Sequence, residues 1–251
     1  MIKRIKAKLY SFFFWQTRIG EFLNKMYDLN IFFTYSFTDK IKSKESFQAF
    51  LKKQYHIIEK GLALPKPRKG FGKPKIEVLI RKANMYKNRY GEDRIVNNIR
   101  ETLKNYLDRN QELKENDKQF YELVYNFSKG SKGIKNGGVK KITKTKIQEA
   151  VNIDFESFIK TRTSVRNFSE EEVLDSEIIR AIEIARFTPS VCNRQSWRVH
   201  YFKDRIKMNK LLNLQNGNNG FTNSINKLLI ITTDTKSFTK LESNQVYVDG
   251  G

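Results

Sequence analysis

Between residues 128 and 146 the sequence runs SKGSKGIKNGGVKKITKTK. It has no apolar period, and its glycines and lysines support neither a packed helix nor a strand. A chain interrupted in this way cannot build one continuous pattern. It divides into a basic helical region (1–127), a Gly/Lys-rich linker (128–150) and a second patterned region (151–251).

The two patterned regions differ in charge. The net charge is +21. Residues 1–150 hold 34 basic and 15 acidic side chains, whereas residues 151–251 hold 14 and 12. A basic half can attract anionic lipid, nucleic acid or acidic polymers. The lysines are spread over several predicted helices, so a solvated surface is the plainer reading, and no nucleic acid is expected. One cysteine, Cys192, excludes an internal disulfide, and two histidines argue against a Cys/His zinc site, so no metal is expected. No apolar run reaches the roughly 18 residues of a membrane span. Leu9–Trp15 is a short apolar stretch with no small-residue cleavage site after it, which disfavours a secretory signal. A cytoplasmic chain is the simplest reading, with peripheral membrane contact through amphipathic segments in residues 9–33 as an alternative to packing on the rest of the protein.

Helical spacing predicts helices over 45–62, ending at Gly61, and around Ile95–Leu107 and Phe120–Phe127. LALPKPRKGFGKPK must be irregular. In the second region DFESFIKTR predicts a short helix and SVRNF alternates like a strand. Asp175 or Ser176 is expected to cap a helix that reaches about Phe187. WRVHYF and KLLIITTD (227–234) predict strands, the latter buried on both faces. A helix is expected over 204–214, and a last one from about Thr239. Helices alternating with strands imply a layered α/β or α+β domain.

Two segments carry candidate chemistry. In RTSVRNF an extended backbone places Arg162, Ser164 and Arg166 on one face, with Thr163 and Val165 on the other. Two guanidiniums around a hydroxyl suit a phosphate. Solvated arginines on an edge strand are the plainer alternative. In TPSVCNRQSWRVHYF a helix stops at Pro189, and a loop then offers Ser190, Asn193 and Gln195, whose mixed donors and acceptors suit a heterocycle edge. Local capping is the alternative. Cys192 reads as a packed thiol and His200 as a structural strand residue.

Together these segments resemble the nitroreductase family of flavin-dependent oxidoreductases. The resemblance rests on Arg162, Ser164, Arg166 and Phe168, then Pro189, Ser190, Asn193, Gln195 and Trp197, in the family's order, with ESNQVYVDGG (242–251) similar to its next helix. Ser196 departs from the usual proline. The resemblance implies an α+β fold, a helical N-terminal region followed by the first half of a nitroreductase-like α/β layered domain with a mixed sheet flanked by helices. It implies FMN as cofactor, bound through Arg162, Thr163, Ser164 and Arg166 at the phosphate and ribityl end. Pro189, Ser190, Asn193 and Gln195 would lie near the isoalloxazine. Asn218, in QNGNNGF, would supply an amide unless it serves only its turn. The resemblance further implies NAD(P)H as reductant, a small-molecule electron acceptor, a homodimer and no catalytic side chain, because the flavin carries the hydride. HIIEKGLALPKPRKGFG is similar to a segment of nitroreductase-like proteins associated with polysaccharide biosynthesis. The family continues past the Asp-Gly-Gly, so the chain is expected to be C-terminally truncated. A non-catalytic basic module that binds a membrane surface, nucleic acid or acidic glycan, with an incomplete flavin domain, is the competing function.

Overall fold

The structure is a computed structural model and describes residues 17–38, 41–130, 137–215 and 217–251. The Leu9–Trp15 stretch, the middle of the predicted linker and one residue of the QNGNNGF loop lie outside these. In chain order the helices are α1 (Arg18–Tyr35), α2 (Lys44–Ala63), α3 (Lys73–Tyr90), α4 (Arg94–Arg109), the single turn α5 (Leu113–Asn116), α6 (Lys118–Ser128), α7 (Lys144–Ala150), α8 (Phe155–Thr161), α9 (Asp175–Ala185), α10 (Arg205–Leu212) and α11 (Gln245–Gly250). Strands β1 (Trp197–Phe202) and β2 (Leu228–Thr233) form a two-stranded antiparallel sheet. The architecture is α+β and mostly helical. The chain divides into two compact units, one made of residues 1–53, 190–197 and 233–251 and the other of 54–189 and 198–232.

The larger unit is built around α4. Asp93 starts this helix by accepting from the Ile95 N–H at 2.9 Å, and it also accepts from the Tyr86 hydroxyl at 2.6 Å. Ile99, Leu103 and Tyr106 recur at helical spacing and are fully buried against α3 and α6. The Tyr106 ring meets Phe71 and Phe120 edge-on at 5.3 and 6.3 Å, and its hydroxyl donates to the Phe71 carbonyl. Helix α3 was not singled out by periodicity, yet Ile76, Leu79, Ile80, Ala83 and Tyr86 are all buried. It follows directly on Gly72, whose φ of 73° is left-handed, with Pro74 in its first turn.

The predicted linker is partly docked. Helix α6 runs through Ser128, and α7 occupies 144–150. The Gly138 N–H donates to Glu59 at 3.0 Å and to the Thr102 hydroxyl at 3.2 Å. A Cβ at Gly137 would stand 2.3 Å from the Asn98 carbonyl oxygen. The glycines here permit close backbone approach as well as supplying flexibility.

Four further expectations are corrected. SVRNF forms no strand: residues 162–168 are unpaired and exposed. Asp175 does not cap α9. Leu174 holds the cap position, where its N–H donates to Glu177 at 3.1 Å, and Asp175 instead accepts from the Tyr201 hydroxyl at 2.7 Å and Lys203 at 2.6 Å. KLLIITTD is a strand but not a buried one, since Leu229 and Ile231 are exposed. A two-stranded sheet can cover neither face of its own strands. The last helix also begins later than expected, at Gln245, after a 3-10 turn at Thr235–Ser237.

In the smaller unit Phe32, Phe37, Phe47, Leu51 and Phe238 are buried. The Phe37 N–H donates to the Phe238 carbonyl at 2.9 Å, beside a single parallel bridge from Phe37 to Thr239.

Candidate functional site

Arg162 ends α8 in an extended conformation, φ −64° and ψ 114°. From there to Phe168 every residue is exposed. The Arg162 guanidinium has no hydrogen-bond partner among the described residues. Arg166 makes one long contact, 3.4 Å, to the Ser164 carbonyl of its own segment. Thr163 and Ser164 are equally open to solvent. The Arg162, Ser164 and Arg166 donors are therefore almost wholly unspent, as an anion ligand requires. Phe168 lies 6.2 Å from the Phe221 ring, an aromatic contact that ties the end of the segment to the rest of its unit.

Asn218 belongs to the same unit and behaves differently. It is buried, and its amide donates to the Leu212 carbonyl at 2.7 Å and to Gln215. Its carbonyl oxygen accepts from the Thr222 hydroxyl at 2.9 Å. The side chain is spent on its own turn, as Asn often is between glycines. In this structure its side-chain NH2 is engaged within the turn. Pro189 follows α9 in the same unit and is exposed.

The loop carrying Ser190, Asn193 and Gln195 lies in the smaller unit, and its conformation is unusual. Cys192, Asn193 and Gln195 all have left-handed φ, 50°, 49° and 49°. Non-glycine residues pay on the order of 1 kcal/mol or more for that region, so something must hold them there. Three contacts do. The Ser190 hydroxyl accepts from the Gln195 N–H at 3.0 Å, closing the loop on itself. The Val191 N–H donates to the Asp249 carboxylate at 3.2 Å. The third is Arg194, which was not singled out from sequence.

Arg194 is the most deeply enclosed charge in the described residues, 2% exposed. Its guanidinium donates to both Glu242 oxygens at 3.0 and 2.6 Å and to the Ser237 carbonyl at 2.5 Å. Its Nε reaches the Val191 carbonyl at 3.1 Å, and the Phe238 ring lies 5.4 Å from the guanidinium carbon. The Arg194 carbonyl in turn accepts from Lys52 at 2.6 Å. Burial acts to raise the Glu242 pKa, but the Arg194 hydrogen bonds and the Thr239 N–H prevail and hold the carboxyl below its ordinary range. The only sequence sign of this pair was an arginine set between two amide side chains, and its acidic partner lies far along the chain. Asn193 itself is exposed, and Cys192 is a half-buried free thiol.

Also in the smaller unit, α1 and α11 enclose an open cavity of about 450 Å³ lined by Met26, Leu29, Phe32, Ser243, Asn244 and Tyr247, among others. None of the residues expected to bind FMN lines it. Among the described residues no group of histidine, cysteine or acidic side chains could hold a metal ion.

No curated protein and no solved structure matches the chain. A family model does match part of it: residues 159–233, which contain the Arg162–Arg166 segment, the Pro189–Gln195 loop, Asn218 and both strands, match the Nitroreductase family.

Proposed function

We propose that the segment spanning residues 159–233 serves a flavin-dependent oxidoreductase of the nitroreductase kind, with FMN as its cofactor. One observation carries the reading: the family match includes an exposed Arg162-Thr163-Ser164-Val165-Arg166 segment whose arginines are almost wholly unspent. A bidentate, permanently charged donor suits a phosphate monoester, so the donor set fits the phosphate end of FMN. Arg162 and Arg166 would bind that phosphate, with the Ser164 hydroxyl as a neutral donor. Thr163 would add a backbone contact at most, since its side chain points away in an extended segment. Ser190, Asn193 and Gln195 would meet the ring system. Arg194 acts on that loop as a positioning residue, holding the left-handed turn that presents Asn193.

When bound, the flavin supplies the hydride chemistry, and the protein supplies binding and orientation. We take NAD(P)H as the reductant and a small molecule as the acceptor. The working form is a homodimer, and a role in surface-polysaccharide biosynthesis follows from the resemblance of residues 56–72 noted above.

The test is FMN titration of the full chain, followed by quenching of flavin fluorescence. Arg162→Ala removes a charge-assisted contact worth about 1.5–3 kcal/mol. FMN affinity then falls roughly 10- to 100-fold. Riboflavin, which lacks the phosphate, loses far less. Equal losses for the two flavins would show that Arg162 supports the fold and would end the phosphate reading.

A further inference from the structure

We propose that the outer face of α1 docks on the surface of an anionic lipid bilayer. Ile19, Phe22, Leu23, Met26, Tyr27 and Phe33 are between 45% and 72% exposed, and Phe22, Met26 and Tyr27 among them also line the open cavity shared with α11. At about 100° per residue they fall within roughly 140° of the helix circumference. The face carries no charge, and Asn30 and Thr34 are its polar members. The helix is fixed from its other side, where Gly20 and Phe32 are buried.

The charges are arranged as an interfacial helix needs. Arg18 and Lys25 are exposed and flank the apolar face on one side, whereas Glu21 and Asp28 lie opposite it. Lys240 sits 5.4 Å from the Phe33 ring and adds a cation at the edge of the face. Arg18, Lys25 and Lys240 complement a phosphatidylserine surface, where each basic residue near the headgroups contributes on the order of 1 kcal/mol. No helix among the described residues is long and apolar enough to cross a membrane. In this proposal the apolar face lies in the interface plane. A protein partner covering the same uncharged face would leave the flanking Arg18, Lys25 and Lys240 without a role.

The experiment is cosedimentation of the full chain with sucrose-loaded vesicles, either pure phosphatidylcholine or containing about a third phosphatidylserine. Protein alone serves as the aggregation control. Binding to the anionic vesicles exceeds binding to neutral ones by at least about tenfold, and it weakens as salt rises from about 0.1 to 0.5 M. Ile19→Glu with Leu23→Glu, two exposed positions outside the cavity lining, lowers the partition coefficient roughly tenfold or more. Leu214→Glu, at an exposed leucine elsewhere, leaves it unchanged. An environment-sensitive fluorophore on Leu23→Cys in a Cys192→Ala background shifts to the blue with anionic vesicles, which keeps the test decisive if the double variant folds poorly. Undiminished binding by the double variant, or no spectral shift from position 23, overturns the proposal. So does a chain that ignores vesicles but dissociates from dimer to monomer on the double substitution, since the face would then join two copies.

Discussion

Helices α4 and α9 both present an amphipathic pattern, and only one of them has a partner for it. On α4, Ile95, Val96, Ile99, Leu103, Tyr106 and Leu107 are all buried. On α9 no residue is buried, and Ile179 and Ile184 are 53% and 60% exposed. Phe187, just beyond α9, is 89% exposed. The same periodicity thus has different energetic meaning in the two places. An apolar stripe stabilises a fold only when another surface removes it from water. The arginines divide in the same way. Arg100 on α4 is held by both Glu92 oxygens, at 3.1 and 2.6 Å, and by the Gly130 carbonyl. Arg162 in the matched segment is exposed to solvent. Helix α4 spends its polar and apolar groups on folding, whereas the face of α9 and the Arg162 segment keep theirs available.

The sharpest way to break this contrast is a truncation in each helix. Leu103→Ala in α4 should cost about 2–5 kcal/mol, because a fully buried leucine leaves a cavity. The change is read as a shift in the urea midpoint. A cost below about 1 kcal/mol would mean that α4 is not the packed centre of its unit.

Next in size is Arg194→Ala. It strands the Glu242 carboxylate and releases the left-handed loop, at a cost of about 3 kcal/mol. Because the folded Glu242 pKa lies below the ordinary value of 4.5, the pair's contribution is present above that value. It is lost as pH falls through the folded pKa. Wild type and Arg194→Ala should therefore converge in stability under strongly acidic conditions. A gap that stays constant with pH would assign the loss to packing of the arginine stem alone.

Glu59 gives a smaller effect of opposite sign. Burial raises its pKa, against the Gly138 N–H, His56 and Thr102, which act to lower it. The folded state holds this proton more tightly than the unfolded state does. Its contribution is then complete below pH 4.5 and fades as pH rises through the folded pKa. Glu59→Gln keeps an acceptor for Gly138 and loses the titration. It should match wild type in acid and be the more stable of the two, by about 1 kcal/mol or less, near neutrality. A variant less stable than wild type at pH 7 would show that the charged form is the better partner for the glycine turn.

The smallest expected effect completes the comparison. Ile179→Ala on α9 should change stability by less than about 0.5 kcal/mol, as at most solvent-facing positions. A large loss would show that α9 has a covering surface after all.

Local signals were the most legible. The helices at 45–62, 95–107 and 120–127 were readable because apolar spacing and capping residues act over one or two turns. The order of Arg162, Ser164, Arg166, Pro189, Ser190, Asn193, Gln195 and Trp197 identified the segment that matches the Nitroreductase family. Helix α3 escaped notice because its apolar residues are interleaved with Lys75, Arg81, Lys82 and Lys87, which blunt the period.

Tertiary structure decided the rest. SVRNF alternates as a strand does, but a strand exists only with a hydrogen-bonded neighbour, and none pairs with it among the described residues. KLLIITTD has the composition of a buried strand, whereas burial depends on a covering layer that its sequence cannot supply. Gly137 and Gly138 read as a spacer until α4 supplied a surface for them to approach. Arg194 is the clearest case. Its role depends on Glu242, Ser237 and Phe238, residues more than forty positions away, and only folding brings them to one guanidinium. Amphipathic period and turn chemistry act between near neighbours and are written along the chain. Burial and charge pairing act through space, so they are settled only when distant segments meet.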